Sequence, residues 1–178
     1  GRVTSIELLD TKRLVLRKPR PADAAMIFER YAGDARVGRY LAWPIHQTLD
    51  DTRLFLEFAE AEWAQWPAGP FLVFRDGELI GSTGLAFETA TRASTGYVFA
   101  VEAWGIGYAT ECVFAMKDLA VRLGVRRLYA GVHPAHRPSA RVLEKAGFRD
   151  DGIAAACCEF PNDAPGILQD VRLFAMDL

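Results

Sequence analysis

The sequence predicts an α/β fold: a single domain with a mixed, mostly antiparallel twisted sheet, a central parallel βαβ crossover and helices on both faces. Three observations predict it. Short apolar segments separated by turn signals fill the middle of the chain. The clearest amphipathic helix then lies between two such segments. Another helical segment and two more strand-like segments follow, and no linker, repeat or low-complexity tract divides residues 1–178.

The N-terminal third predicts one strand and two helices. Leu14–Arg17 is short and β-prone. Apolar residues then recur at helical spacing over residues 24–31. Thr48, with Asp51 three residues later, is a capping-box pattern that begins a second helix, and Pro67 ends it.

The middle of the chain predicts three antiparallel strands in a meander. Phe71–Phe74 is apolar and β-prone, and Asp76-Gly77 is a strong hairpin turn. Leu79–Phe87 continues the pattern, and Tyr97–Val101 is predicted as the next strand.

The C-terminal half predicts the crossover. One apolar stripe at spacings of three and four predicts a long helix; it comprises Ala109, Cys112, Val113, Met116, Leu119, Ala120 and Leu123. A strand on each side of a helix makes a right-handed unit with parallel strands. The remaining predicted elements are a strand at Leu128–Val132, a helix from Pro138 to Gly147, and strands at Phe148–Ile153 and Val171–Met176.

Composition and charge exclude several function classes. The 178 residues are 51% apolar and 25% charged, with a net charge of −2, so we expect neither a disordered chain nor a nucleic-acid partner. No apolar run approaches the roughly 20 residues that span a bilayer, so we expect no membrane partner. With no signal-like start, we expect a cytoplasmic location.

The cysteines and histidines do not form a metal-binding pattern. No CxxC pair exists, and the odd number of cysteines argues against a disulfide framework. The residues concerned are Cys112, Cys157, Cys158, His46, His133 and His136. We therefore expect no metal.

Gly105-Ile106-Gly107 lies between a predicted strand and the long predicted helix. The glycines let a ligand approach backbone N–H groups, and the helix N-terminus favours anions. The turn therefore either binds phosphate, with Thr110 as a further donor, or serves only as a tight connection. No GxxxxGK[ST] run exists, and a dinucleotide GxGxxG pattern fails at Thr110.

Five runs, in chain order, resemble the GNAT superfamily of acetyltransferases, and most closely the branch that contains the ribosomal-protein N-terminal acetyltransferases. They are Thr11–Arg17, Tyr40–Pro44, Gly96–Phe99, Trp104–Glu111 and Ser139–Phe148. The resemblance implies acetyl-CoA as acyl donor and a primary amine as acceptor, joined by direct attack in a ternary complex. A homodimer is one candidate assembly.

The resemblance also implies a cofactor cleft where one strand splays from the next parallel strand. The cofactor-binding residues it implies are Phe99, Ala100 and Val101 for the pantetheine and acetyl carbonyl, Gly105, Ile106, Gly107, Tyr108, Ala109 and Thr110 for the pyrophosphate, and Ser139. His136 stands where the family usually has asparagine: it is a candidate to hydrogen-bond the pantetheine or the attacking amine, or it is a helix-start histidine without such a role.

The candidate catalytic residues are Ser139, which the resemblance implies, and His133, which the chemistry of histidine suggests. Ser139 corresponds to a family serine near the cofactor sulfur, although a serine in the first turn of a helix can instead bond backbone. His133 follows a predicted strand and is a candidate base. Thr95 stands where many members have glutamate, and Leu143 where some have a tyrosine acid. The base is therefore left to a histidine or to a water relay.

Two other functions stay open. A non-catalytic acyl-CoA-binding module is consistent with Thr95 and Leu143. A nucleotide-binding oxidoreductase is disfavoured by Thr110 and by the lack of an acidic residue after the next strand.

Overall fold

The computed structural model describes residues 5–178, and within them one eight-stranded sheet. Its strands are β1 (Leu8–Asp10), β2 (Val15–Arg17), β3 (Pro70–Arg75), β4 (Glu78–Thr89), β5 (Arg92–Phe99), β6 (Arg127–Val132), β7 (Arg149–Glu159) and β8 (Leu168–Asp177). Their order across the sheet is β1-β2-β3-β4-β5-β6-β8-β7. The β5–β6 pair is parallel and every other neighbouring pair is antiparallel, which confirms the predicted fold class.

Helices cover both faces of the sheet, as predicted. They are α1 (Ala24–Ile27), which continues into a π-helical turn at Phe28–Ala32, α2 (Leu49–Gln65), α3 (Tyr108–Arg122) and α4 (Arg137–Lys145). Side chains alternate across a strand: Leu72 of β3 packs with α1 and α2, whereas its neighbour Val73 packs in the cluster that contains α3 and α4. None of these helices has both the length and the apolar character that crossing a bilayer requires.

The predicted strand Tyr97–Val101 is wrong at both ends. The strand, β5, begins at Arg92 and ends at Phe99. The Ala100 N–H donates to Ile80 O at 2.8 Å, and Val101–Ala103 then forms a 3₁₀ turn. The chain leaves the sheet because the carbonyl of Ala100 accepts from Ala103 N–H, 2.9 Å away, instead of from a neighbouring strand.

β5 and β6 diverge soon after they meet. Their parallel pairing joins Arg92–Ser94 to residues 127–129 and goes no further. Beyond that point β5 stays paired with β4, and β6 stays paired with β8. The result is a gap in the middle of the sheet that opens toward the N-terminus of α3.

Candidate active site

The gap between β5 and β6 leads into a cavity of about 920 Å³. Its walls come from the segment 36–43, from β5 and β6, from the turn before α3, and from α4. The sequence-predicted site residues that line it are Phe99, Gly105, Gly107, Tyr108, Ala109, Thr110, His133, His136 and Ser139. Ala100 is buried with Val98 on the other face, and Val101 and Ile106 lie beside the cavity without lining it.

The edge of β5 that faces the gap carries unpaired backbone groups. Phe99 lies opposite Gly81 of β4, and the bond from Ala100 N–H to Ile80 O identifies this as a non-hydrogen-bonded pair. Residues in such pairs direct N–H and C=O away from their partner strand. Tyr97, two residues earlier, has the same orientation. These groups face the gap, where β6 is too far away to pair with them.

The glycine turn places an anion-binding helix end at the same cavity. Gly105 and Gly107 have φ of +72° and +89°, a conformation that L side chains disfavour. Gly107 is the N-terminal cap of α3. The N–H groups of residues 108–110, in the first helical turn, have no intrahelical acceptor and stand at the positive end of the helix dipole.

Arg13 fixes this turn from behind, a role that the sequence did not indicate. Its Nη1 donates to Ile106 O at 3.1 Å, and its Nε donates to Glu111 Oε1 at 2.7 Å. The guanidinium also stacks over the Tyr108 ring at 4.5 Å. Arg13 lies more than 90 residues before its partners, so no local pattern could have revealed the contact.

Ser139 and Tyr97 form a hydrogen-bonded pair in the cavity wall. Ser139 Oγ lies 2.8 Å from the Tyr97 hydroxyl oxygen. Ser139 is the third residue of α4 and is buried, yet its hydroxyl makes no backbone bond among residues 5–178. Burial raises the pKa of Tyr97 above its usual value, so the phenol is neutral. Leu143, one turn further along α4, is packed in the core.

His133 has both ring nitrogens occupied. The Ala135 N–H donates to His133 Nδ1 at 3.0 Å, so the ring proton of the neutral imidazole is on Nε2. Nε2 then donates to Gln169 Oε1 at 2.8 Å. Tyr40 and Phe160 pack against the ring, with centroid distances of 4.5 and 4.8 Å. This arrangement disfavours His133 as a base, because accepting a proton at Nδ1 would break the Ala135 bond.

His136 is held differently. Its ring packs against Tyr40, with a centroid distance of 5.2 Å, and no described residue hydrogen-bonds to either ring nitrogen. Burial, and then the nearby His133, lower the pKa of His136 below its ordinary value. His136 is therefore neutral at pH 7, with a ring lone pair free to accept a proton.

No carboxylate lines the cavity in the part of the chain that the structure describes. The hydroxyl of Thr95 donates to Gly84 O at 2.8 Å. Residues 5–178 also contain no cluster of three metal-ligating side chains. The cations in the wall are Arg36, Arg39 and Lys145. The cavity therefore offers hydroxyl, imidazole and backbone donors, and these suit an anionic or thioester ligand.

Known proteins share this architecture. A family model described as the acetyltransferase (GNAT) domain matches residues 13–149. The uncharacterized N-acetyltransferase p20 of Bacillus licheniformis is 28% identical over 176 residues, which is 96% of either chain. A crystal structure of a GNAT-family acetyltransferase from Bacillus anthracis is 26% identical with a TM-score of 0.80, covering 96% of this chain and 98% of that one.

A more distant structure shares the fold alone. RimL, a ribosomal L7/L12 alpha-N-protein acetyltransferase solved in complex with coenzyme A, has a TM-score of 0.84 at 18% identity. The match covers 97% of this chain and 98% of that one.

Proposed function

Because this chain belongs to the GNAT family and is an acetyl-CoA-dependent N-acetyltransferase, we propose that it works by direct attack of a primary amine on the thioester within a ternary complex. Residues 1–178 act as one catalytic domain. Two bound reactants held in contact need no covalent enzyme intermediate, because proximity supplies much of the lowering of the barrier. The cavity walls supply a place for each reactant.

The donor is held along β5 and the first turn of α3. The N–H groups of residues 108–110 bind the pyrophosphate, as helix N-termini bind phosphate generally. The outward-facing N–H and C=O groups of Tyr97 bond to the pantetheine amides, extending the sheet by one non-protein strand. The Phe99 N–H then meets the acetyl oxygen. What supports this assignment is that these donors line one continuous cavity.

The reaction needs three proton or charge movements. Attack forms the N–C bond and places negative charge on the acetyl oxygen, which the Phe99 N–H stabilises. Collapse breaks the C–S bond, and the departing thiolate takes a hydrogen bond from Ser139 and its proton from solvent. His136 accepts the proton that the amine nitrogen loses. His133, with its ring nitrogens occupied, forms the wall beside His136.

The acceptor approaches from the side of the segment 36–43. That wall contains Tyr40 and Trp43, and Phe160 also lines the cavity. The resemblance to the ribosomal-protein branch, together with a fold neighbour that acts on the alpha-amine of a ribosomal protein, supports a protein N-terminus as acceptor. A small apolar or aromatic amine fits the same lining.

The divergence of β5 from β6 beside the glycine turn is the observation that carries this proposal. The test is release of free CoA thiol from acetyl-CoA over a panel of amines: peptides with different N-terminal residues, amino acids, polyamines and arylalkylamines. We expect turnover with N-terminal peptides or apolar amines, increasing with pH as the free amine becomes available.

Two outcomes would contradict the proposal. Tight acetyl-CoA binding without turnover on any amine would favour the non-catalytic acyl-CoA-binding module. That function is consistent with the lack of a carboxylate base among the described residues that line the cavity. Absence of CoA binding would remove both functions.

A further inference from the structure

The Tyr97 and Ser139 hydroxyls form an isolated pair. Their oxygens lie 2.8 Å apart, and neither hydroxyl bonds to any other group among residues 5–178. Both residues line the cavity, Tyr97 from β5 and Ser139 from α4. The pair thus bridges the two sides of the gap at the place where the strands have separated.

Counting hydrogens shows what the pair still offers. Each hydroxyl carries one hydrogen, and one hydrogen bond between them uses only one of the two. The other hydrogen has no acceptor in the described protein and faces the cavity. A buried donor without a partner costs free energy. A ligand with a hydrogen-bond acceptor at this point would remove that cost, so the pair favours such a ligand.

Chemistry decides which hydroxyl keeps its hydrogen free. A phenol is more acidic than an alkyl alcohol and is therefore the stronger donor of the two. Tyr97 consequently donates to Ser139 Oγ, and the Ser139 hydrogen is the one left over. The Tyr97 ring packs against Phe99, at a centroid distance of 5.9 Å, and this contact helps to fix the position of its hydroxyl oxygen.

We propose that Tyr97 is the positioning residue for Ser139: its hydroxyl donates to Ser139 Oγ and so directs the Ser139 O–H at the sulfur of bound CoA. This inference rests on the proposed function, which places the sulfur beside Ser139. Some family members have a tyrosine acid at the position of Leu143 in α4, and leucine has no hydroxyl. Here the hydroxyl of Tyr97, on β5, acts together with Ser139 in its place. When the C–S bond breaks, the electron pair goes to sulfur, and the Ser139 hydrogen stabilises it.

The first test uses free CoA and requires no acceptor amine. The pH dependence of CoA alkylation by iodoacetamide, with the alkylated CoA measured by mass spectrometry, gives the acidity of the bound thiol separately from the protein cysteines. One hydrogen bond to a charged sulfur is worth roughly a tenfold change in acidity. We expect the acid dissociation constant of the bound thiol to fall about fivefold to tenfold in Tyr97→Phe, and at least as far in Ser139→Ala.

The second test separates positioning from packing. Tyr97→Phe keeps the ring and removes only the hydroxyl. We expect kcat to fall about tenfold, with KM for acetyl-CoA changing less than about twofold, because the bond matters chiefly when charge reaches sulfur. The double variant should match Ser139→Ala alone, since Tyr97 acts through that serine.

Tyr129→Phe is the matched control. The Tyr129 hydroxyl bonds to Glu88 at the exposed end of the β4–β5 hairpin and does not line the cavity. Its removal should leave kcat, KM and the acidity of the bound thiol unchanged. Circular dichroism and thermal unfolding establish that each variant is folded.

The outcomes are distinct. If CoA binds but its thiol is equally acidic in wild type and Tyr97→Phe, this inference is overturned and the proposed function stands. Losses that multiply in the double variant would also overturn it, because Tyr97 would then act independently of Ser139. If wild type binds no CoA, this inference and the proposed function both fall.

Discussion

Replacing Gly107 with alanine tests whether the glycine turn binds the pyrophosphate of acetyl-CoA. Gly107 has φ +89° and ψ 8° and caps α3. An alanine Cβ there would have one neighbour within 4 Å, the Arg13 Nη2 atom at 3.5 Å, which is ordinary van der Waals contact. The substitution adds no steric conflict within the protein, so its cost comes from the left-handed backbone.

The magnitude follows from that geometry. The left-handed conformation costs an L-residue about 1–2 kcal/mol. If the turn relaxes to avoid this cost, a first-turn N–H of α3 leaves the position where it meets phosphate. A hydrogen bond to a charged group is worth about 1.5–3 kcal/mol, which corresponds to roughly a 10- to 150-fold increase in Kd for CoA.

Gly124→Ala is the matched control for this experiment. Gly124 follows the other end of α3, with φ +84° and open space around a would-be Cβ. It carries the same conformational cost of about 1–2 kcal/mol but lies outside the cavity lining. Calorimetric titration with CoA should show weakened binding for Gly107→Ala alone, while thermal unfolding shows both variants destabilised by roughly 2–8 °C.

A second ligand locates the loss within CoA. Acetyl-pantetheine lacks the pyrophosphate, so Gly107→Ala should leave kcat/KM for this shorter donor close to the wild-type value. Equal CoA affinity in the two glycine variants would refute the assignment of the turn. A loss of the same size with acetyl-pantetheine would refute it as well, because the effect would then lie elsewhere in the cleft.

Three further predictions follow from the site. Arg13→Ala should raise KM for acetyl-CoA about fivefold and destabilise the fold by roughly 1 kcal/mol, because the glycine turn loses its bond to Arg13 and Glu111 loses a partly exposed ion pair. Arg53→Ala removes an exposed ion pair and should change neither KM nor stability in the same kinetic and unfolding assays. Burial lowers the pKa of His136, so its neutral form is lost only when pH falls below the ordinary histidine range. In wild type kcat/KM should then fall more steeply than protonation of the amine alone explains, and this additional fall should be absent from the pH profile of His136→Ala. Burial raises the pKa of Cys112 to about 12, so a thiol reagent should titrate only Cys157 and Cys158 of β7 in the folded protein and all three cysteines after denaturation. Blocking Cys157 and Cys158 should leave acetyl transfer intact.

Elements with a strong local pattern could be predicted from the sequence. The apolar stripe predicted α3 to within a residue at each end, because most of the residues on that stripe are buried by the helix. The C-terminal boundary of β5 could not be predicted, since Ala100 and Val101 continue an apolar run and only the bond from Ala103 N–H to Ala100 O takes the chain out of the sheet. β1 was not predicted at all, because its side chains are mostly exposed at the sheet edge.

The candidate site also has parts that a local sequence pattern predicts and parts that depend on contacts between distant residues. The glycine turn and the start of α3 form one continuous stretch, and both were predicted. The bond between Tyr97 and Ser139 joins residues 42 positions apart, and the bond from Arg13 to Ile106 joins residues 93 apart. Alternation along β5 places Tyr97 on the same face as Phe99, which was the one available signal for its position. That Ser139 is the partner of Tyr97 could be identified only from the structure, which shows how α4 packs beside β5.

The end of β5 sets the polarity of the place where the acetyl group is proposed to lie. Phe99 directs both N–H and C=O at the gap, and the Trp104 indole donates to that carbonyl at 2.9 Å. With the carbonyl occupied, the N–H is the group left facing the cleft. A lone fixed donor suits an oxygen on which negative charge develops, whereas an open carbonyl beside it would repel that charge. The 3₁₀ turn ends β5 earlier than the apolar sequence predicts. The same turn brings Trp104 back to the end of the strand.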